Sequence, residues 1–216
     1  MLFVIVLLTL GLMVPPQTLA AKKKILTAVT YVNPRTMDPH VARSFSTLIA
    51  PIQVYDKLVD LRGGTQEVEP RLATSWKMEQ GGKAWVFNLR KGVKFHDGRE
   101  FKADAVKFSF DRLMALGKGP AGLFKGLERV EVVNDHTVRF HLDSTIGPWL
   151  RIMANIKGPY IVNPDVMKHE RKKGGKGDHA QAWMSQNGAG TGPYRLVRWD
   201  KGQQLIYERN KDYWDK

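Results

Sequence analysis

The sequence contains no cysteine. Disulfides, thiolate metal sites, cysteine nucleophiles and lipid attachment through an N-terminal cysteine are therefore excluded. Acidic residues are also scarce: 21 Asp and Glu stand against 34 Lys and Arg, for a net charge of +13 and a pI of about 9.9. Charge of either sign is missing from Met1 to Ala20. The apolar run in that stretch, Leu2 to Val14, has about 13 residues, short of the roughly 20 a bilayer span requires.

Nine Phe and six Trp, with many Val, Leu and Ile, are enough for a real core in 216 residues. That argues against disorder and for one large domain or two small ones. After Leu2 to Val14 comes the breaker Pro15-Pro16, then the small residues of Thr18-Leu19-Ala20. This pattern predicts a signal peptide over residues 1–20, although Lys or Arg near Met1 is missing. The mature chain would keep every charged residue and sit in the periplasm or outside the cell. A +13 charge suits solubility, an anionic surface or an acidic ligand. Export argues against a nucleic-acid partner.

Periodicity and turn residues predict the elements. Ile25 to Tyr31 reads as a strand, followed by a loop from Val32 to Ser44 punctuated by Asn33-Pro34 and Asp38-Pro39. Phe45, Leu48, Ile49, Ile52 and Tyr55 have helical spacing, interrupted at Pro51. Three hairpins are expected, turning at Gly81-Gly82, Asn134-Asp135 and Lys201-Gly202. In the first, Trp85, Phe87 and Leu89 share a face. Ala103, Val106, Phe110 and Leu113 mark an amphipathic helix over 102–116, and Gly117 to Gly126 reads as a loop. Asn163-Pro164 reads as an N-cap with proline in the first helical position, opening a helix that runs into the basic stretch Lys168 to Lys176.

Catalytic patterns fail one by one. His136 and His141 fall on opposite faces of one strand, so no histidine cluster points to a metal. No G-x-S-x-G is present. Asp104 and Asp111 lie on one helix face and read as a solvated edge. Gly188 to Gly192 comes between a helix and a strand, the wrong order for a dinucleotide loop, and no Gly-Lys is followed by Ser or Thr. The chain is expected to be no enzyme, with no cofactor and no metal.

One segment is specific. Trp85 to Gly98, W-V-F-N-L-R-K-G-V-K-F-H-D-G, followed by Phe101 to Phe110, resembles the signature of the family 5 extracellular solute-binding proteins. These are the dipeptide-, oligopeptide- and nickel-binding receptors of ABC importers. Met37-Asp38-Pro39, Val54 to Leu58, Pro70 to Trp76, Gly190 to Tyr194 and Arg209 to Trp214 resemble further motifs of that family in order. The resemblance implies an α/β (α+β) fold like a periplasmic binding protein. The first lobe would be present with its extra subdomain and the second lobe missing, because family members are about twice as long. It divides the mature chain into 21–45 and 190–216, parts of the first ligand-binding lobe, and 46–189, an inserted α+β subdomain. The implied function is capture of peptides or a similar small solute for an ABC permease in the membrane. A missing second half of the receptor is a further implied partner, and an exported fragment without independent ligand binding is the alternative. The family's first-lobe loop makes Tyr31, Asn33, Arg35, Asp38, Ser44 and Phe45 the candidate ligand-binding residues.

Overall fold

The computed structural model describes residues 25–29 and 33–215. Residues 33–215 form one compact unit. The expected signal peptide lies outside the described residues. No described helix is long and apolar enough to cross a membrane. The strand expected over Ile25 to Tyr31 is corrected: Ile25 to Val29 has no regular structure. Its backbone joins no ladder among the described residues, and Ile25, Leu26 and Val29 are exposed.

The compact unit opens with a short helix, α1 (Phe45–Leu48), and a 3-10 turn at Pro51–Gln53, the break that Pro51 imposes. Strands β1 (Val59–Leu61) and β2 (Val68–Pro70) pair antiparallel. The main sheet comprises β3 (Ala73–Glu79), β4 (Ala84–Leu89), β5 (Leu127–Asn134) and β6 (Thr137–Leu142), in the antiparallel order β3-β4-β6-β5. Helix α2 (Ala103–Leu116) packs on this sheet and ends at Gly117, whose φ of 59° is the left-handed cap that glycine favours. Its residues Ala103, Val106, Phe110 and Leu113 are all buried. Phe110 meets the rings of Phe140 and Phe124 at 4.8 and 5.4 Å, and Phe87 meets Phe140 at 5.4 Å. Trp149, in α3 (Trp149–Ala154), closes this aromatic cluster against Phe124.

A second core lies beside the first. Met37, Leu48, Val54 and Tyr55 meet Tyr160, Val162, Val166, Ala180 and Met184 there. Helix α4 (Gln181–Met184) and the hairpin of β9 (Tyr194–Asp200) and β10 (Gln204–Arg209) border it, with Leu196, Trp199, Leu205 and Tyr207 packed inward. Two expectations change in detail. The loop from Gly117 to Gly126 contains a 3-10 helix, Gly119–Phe124. The helix begun by Asn163-Pro164 is 3-10, Pro164–His169, with the Asn163 side chain accepting from the Asp165 N–H. The basic stretch beyond it folds into a small hairpin, β7 (Lys172–Lys173) and β8 (Lys176–Gly177), turned by two glycines of positive φ.

Candidate functional site

The loop before α1 and the turn between β9 and β10 meet at an open concavity of about 690 Å³. Asn33, Arg35 and Ser44 line it, with Ser46, Thr47 and Lys201. Thr47 fixes the loop locally: its hydroxyl donates to the Ser44 carbonyl at 2.8 Å and accepts from the Ser44 N–H at 3.1 Å. The Ser44 and Ser46 hydroxyls lie 2.7 Å apart. Arg35 and Lys201 are exposed, and neither forms an ion pair among the described residues. The acid next in sequence to Lys201 is Asp200. Its oxygens already accept from Arg198 at 2.8 Å and Gln204 at 2.9 Å.

Three of the six candidate residues therefore share one surface: Asn33, Arg35 and Ser44. Phe45 is exposed but does not line the concavity. Tyr31 lies outside the described residues. Asp38, a candidate ligand-binding residue, lies in the core and away from the concavity. Its side chain has no exposure, and both oxygens are taken by Arg112, at 3.0 and 2.6 Å. An isolated buried carboxylate is too costly to persist, so Asp38 is held by its partner in α2.

The same cluster fixes His40. Its Nε2 is 2.9 Å from the Tyr160 carbonyl, and its Nδ1 is 3.0 Å from an Arg112 Nη1. A carbonyl only accepts and a guanidinium only donates, so His40 is neutral with its proton on Nε2. Burial and then the Arg112 charge push its pKa down to about 4.

A second pocket, of about 380 Å³, includes Tyr55, Asp56, Lys57, Asp60, Arg71 and Tyr213 in its lining. Its charges are already committed within the protein. Asp56 accepts from Thr191 at 2.8 Å, Trp214 at 3.1 Å and Tyr213 at 3.2 Å. Burial pushes the Asp56 carboxyl above the usual carboxylate range, against the pull of those bonds and of Arg71. Lys57 donates to Asp60 and to the carbonyls of Ala154 and Asn155. With most of these groups bonded to one another, this pocket ties the Tyr213-Trp214 segment down.

The glycine-rich run does the same by close approach. A Cβ on Gly192 would lie 2.5 Å from the carbonyl carbon of Val54, and the Gly192 N–H donates to the Val54 oxygen at 2.9 Å. Those glycines are packing sites. Among the described residues no group of three or more His, Asp or Glu could hold a metal ion. Sequence reasoning missed Lys201, Ser46 and Thr47 as lining residues. Lys201 carried only a turn signal, and nothing in its neighbours pointed to a loop more than 150 residues away.

Comparison with solved structures shows the fold to be that of part of a periplasmic binding protein. One is a dipeptide-binding protein from a Pseudoalteromonas species in complex with Met-Leu. The TM-score is 0.74 and the identity 29%, over 86% of this chain and 39% of that one. Another is MoaA of A. tumefaciens in complex with mannopinic acid. It has a TM-score of 0.74 and 26% identity, over 84% of this chain and 36% of the other. Residues 67–216 match the model of the bacterial extracellular solute-binding proteins, family 5 middle part, and the chain belongs to that family. A curated relative, the probable D,D-dipeptide-binding periplasmic protein DdpA of Escherichia coli, is 36% identical over 198 residues. That match covers 90% of this chain and 37% of the relative. The chain thus spans about two fifths of the length of the proteins it matches.

Proposed function

We propose that this chain supplies the first-lobe face of a solute-binding receptor, which captures a peptide or similar small solute in the periplasm for an ABC importer. Family membership over residues 67–216 carries the reading. The concavity supports it by joining Asn33, Arg35 and Ser44, from segment 21–45, to Lys201, from segment 190–216. On this reading those two segments form the lobe, and 46–189 is the inserted subdomain, holding the main sheet and α2. The relatives' solutes have a common chemistry, since Met-Leu and mannopinic acid both carry a carboxylate. Binding without catalysis fits the polar groups of the concavity, which are hydroxyls, an amide and two cations.

The test is a nuclear magnetic resonance titration of the chain with di- to pentapeptides. Saturable shifts are expected for the amides of residues 33–47 and 201–202 at roughly millimolar peptide. Shifts confined to other regions, or none, would overturn the reading.

A further inference from the structure

We infer that the concavity is an anion seat: Arg35 and Lys201, with the Ser44 and Ser46 hydroxyls, hold a carboxylate or phosphate group of the solute. The inference rests on the solute-binding reading and adds the charge of the group bound at this place.

The first argument is electrostatic. Two cations stand on the lining of one hollow, from segments far apart in sequence, and no Asp or Glu among the described residues lines it. Neither is neutralised among the described residues. The neighbouring Asp200 is turned to Arg198 and Gln204, as its two side-chain bonds show. Cations elsewhere in the compact unit are in several cases held by acidic partners, as Arg112 by Asp38, Arg99 by Asp104 and Asp165, and Lys107 by Asp111; what sets Arg35 and Lys201 apart is that both stand on one hollow. Arg35 leaves its donors to whatever enters the hollow; the Lys201 ammonium lies 5.4 Å from the Trp199 ring centroid, a contact that leaves its N–H donors without an acidic acceptor among the described residues. A guanidinium presents a planar fork that matches two oxygens of a carboxylate or phosphate.

The second argument is the hydrogen-bond inventory. The Thr47 hydroxyl hydrogen is already given to the Ser44 carbonyl. Between Ser44 and Ser46 only one hydrogen is needed to make their 2.7 Å bond. The Ser44 hydrogen has two acceptors in reach, Ser46 at 2.7 Å and Thr47 at 3.2 Å; given to the nearer, it leaves the Ser46 hydrogen for a ligand oxygen. The Asn33 amide adds two N–H donors on the same lining. Donors of this kind without a lining carboxylate suit an anion and disfavour an ammonium group.

The experiment compares Ala-Ala with Ala-Ala amide, and adds succinate and inorganic phosphate as separate arms. Amide shifts of Ser44, Ser46 and Thr47 are followed at 0.15 M salt, where charges more than roughly 8 Å apart are largely screened. The free carboxylate should bind about three- to tenfold more tightly than the carboxamide, as two exposed ion pairs allow. The doubly neutral variant Arg35→Gln/Lys201→Gln should abolish that preference. Lys172→Gln/Lys173→Gln, which removes the same charge from the exposed β7 hairpin, should keep it. Both pairs are exposed, and each variant's spectrum reports its fold directly.

Equal affinity for Ala-Ala and its amide overturns the anion seat while leaving solute binding intact. So does an equal loss in the β7 variant, because the effect is then overall charge. No shift with any anion overturns it as well. Shifts at Ser44 to Thr47 with succinate or phosphate but with neither peptide uphold the seat and overturn a peptide as the solute. Whether phosphate or succinate binds more tightly identifies the group that the seat prefers.

Discussion

Phe87 has no exposure, and its ring lies between Phe140 and Trp76 at centroid distances of 5.4 and 6.4 Å. Removing it leaves a cavity that close-packed neighbours fill only in part. Phe87→Ala should cost about 3–5 kcal/mol in a urea titration, and a loss below about 1 kcal/mol would contradict its core role. Strand alternation placed Trp85, Phe87 and Leu89 on one buried face. Phe87 and Leu89 are buried and Trp85 is half-buried, so Trp85→Ala should cost less than Phe87→Ala. His40 gives a second test at this scale. It titrates near 4 in the fold and near 6.5 when unfolded. Between those values the unfolded chain takes up a proton that the folded one refuses. Stability contributed by His40 therefore falls as pH drops from about 6.5 to 4, by about 3 kcal/mol in full. Asp56 has the opposite sign, because its raised pKa makes the fold hold a proton longer as pH rises. The two separate in His40→Gln, whose amide can donate to Tyr160 and accept from Arg112. Urea midpoints measured at pH 7 and 4.5 should differ less in the variant than in the parent. Equal differences would show that His40 does not carry the acid sensitivity.

At the scale of elements, what was legible depended on whether local chemistry alone fixed the shape. The hairpins β3–β4, β5–β6 and β9–β10 were legible because alternating strands flank turn residues suited to tight reversal. Helix α2 was legible because its apolar residues fall every three or four positions and Gly117 ends it. The β7–β8 hairpin was not, since strands of two residues have no alternation to read. The strand expected from Ile25 was wrong for a different reason: strand propensity needs a paired neighbour to become a strand. Gly190 to Gly192 shows the same limit, because its need for glycine comes from the Val54-Tyr55 backbone across the fold. Gly192 has φ outside the left-handed region, so its constraint is contact alone. An added methyl would press on backbone atoms of Val54 and Tyr55, which no rotamer change can move. Gly192→Ala should cost about 2 kcal/mol, which lowers the melting temperature by about 4–8 °C in a protein of this size. An unchanged melting temperature would mean that this backbone junction yields freely.

Across the whole molecule, the candidate site was legible only on one side. The loop before α1 announced itself through polar residues and prolines, and Asn33, Arg35 and Ser44 do meet at the concavity. Asp38 was read from the same loop and went inside, because its counterion Arg112 sits on α2, 74 residues away, and pairing cannot be seen in sequence. Lys201 came to the site by the path of the chain through the second core. On the proposed solute-binding reading, the openness of the hollow sets its affinity. Small-molecule sites bury 70–90% of the ligand, whereas the concavity proposed here is an open face. A solute resting there keeps much of its surface in water, and exposed ion pairs are worth about 0–1 kcal/mol each. Such a face supports roughly millimolar binding, about 4 kcal/mol, where an enclosing site near micromolar would reach about 8 kcal/mol. Calorimetry with mixed di- to pentapeptides at 0.15 M salt should therefore give dissociation constants near or above about 1 mM. A saturable constant below about 10 µM would show that the chain encloses its solute unaided, or by pairing with a second copy. The one-sided site would then be wrong, and sedimentation in the presence of the peptide would tell those two cases apart.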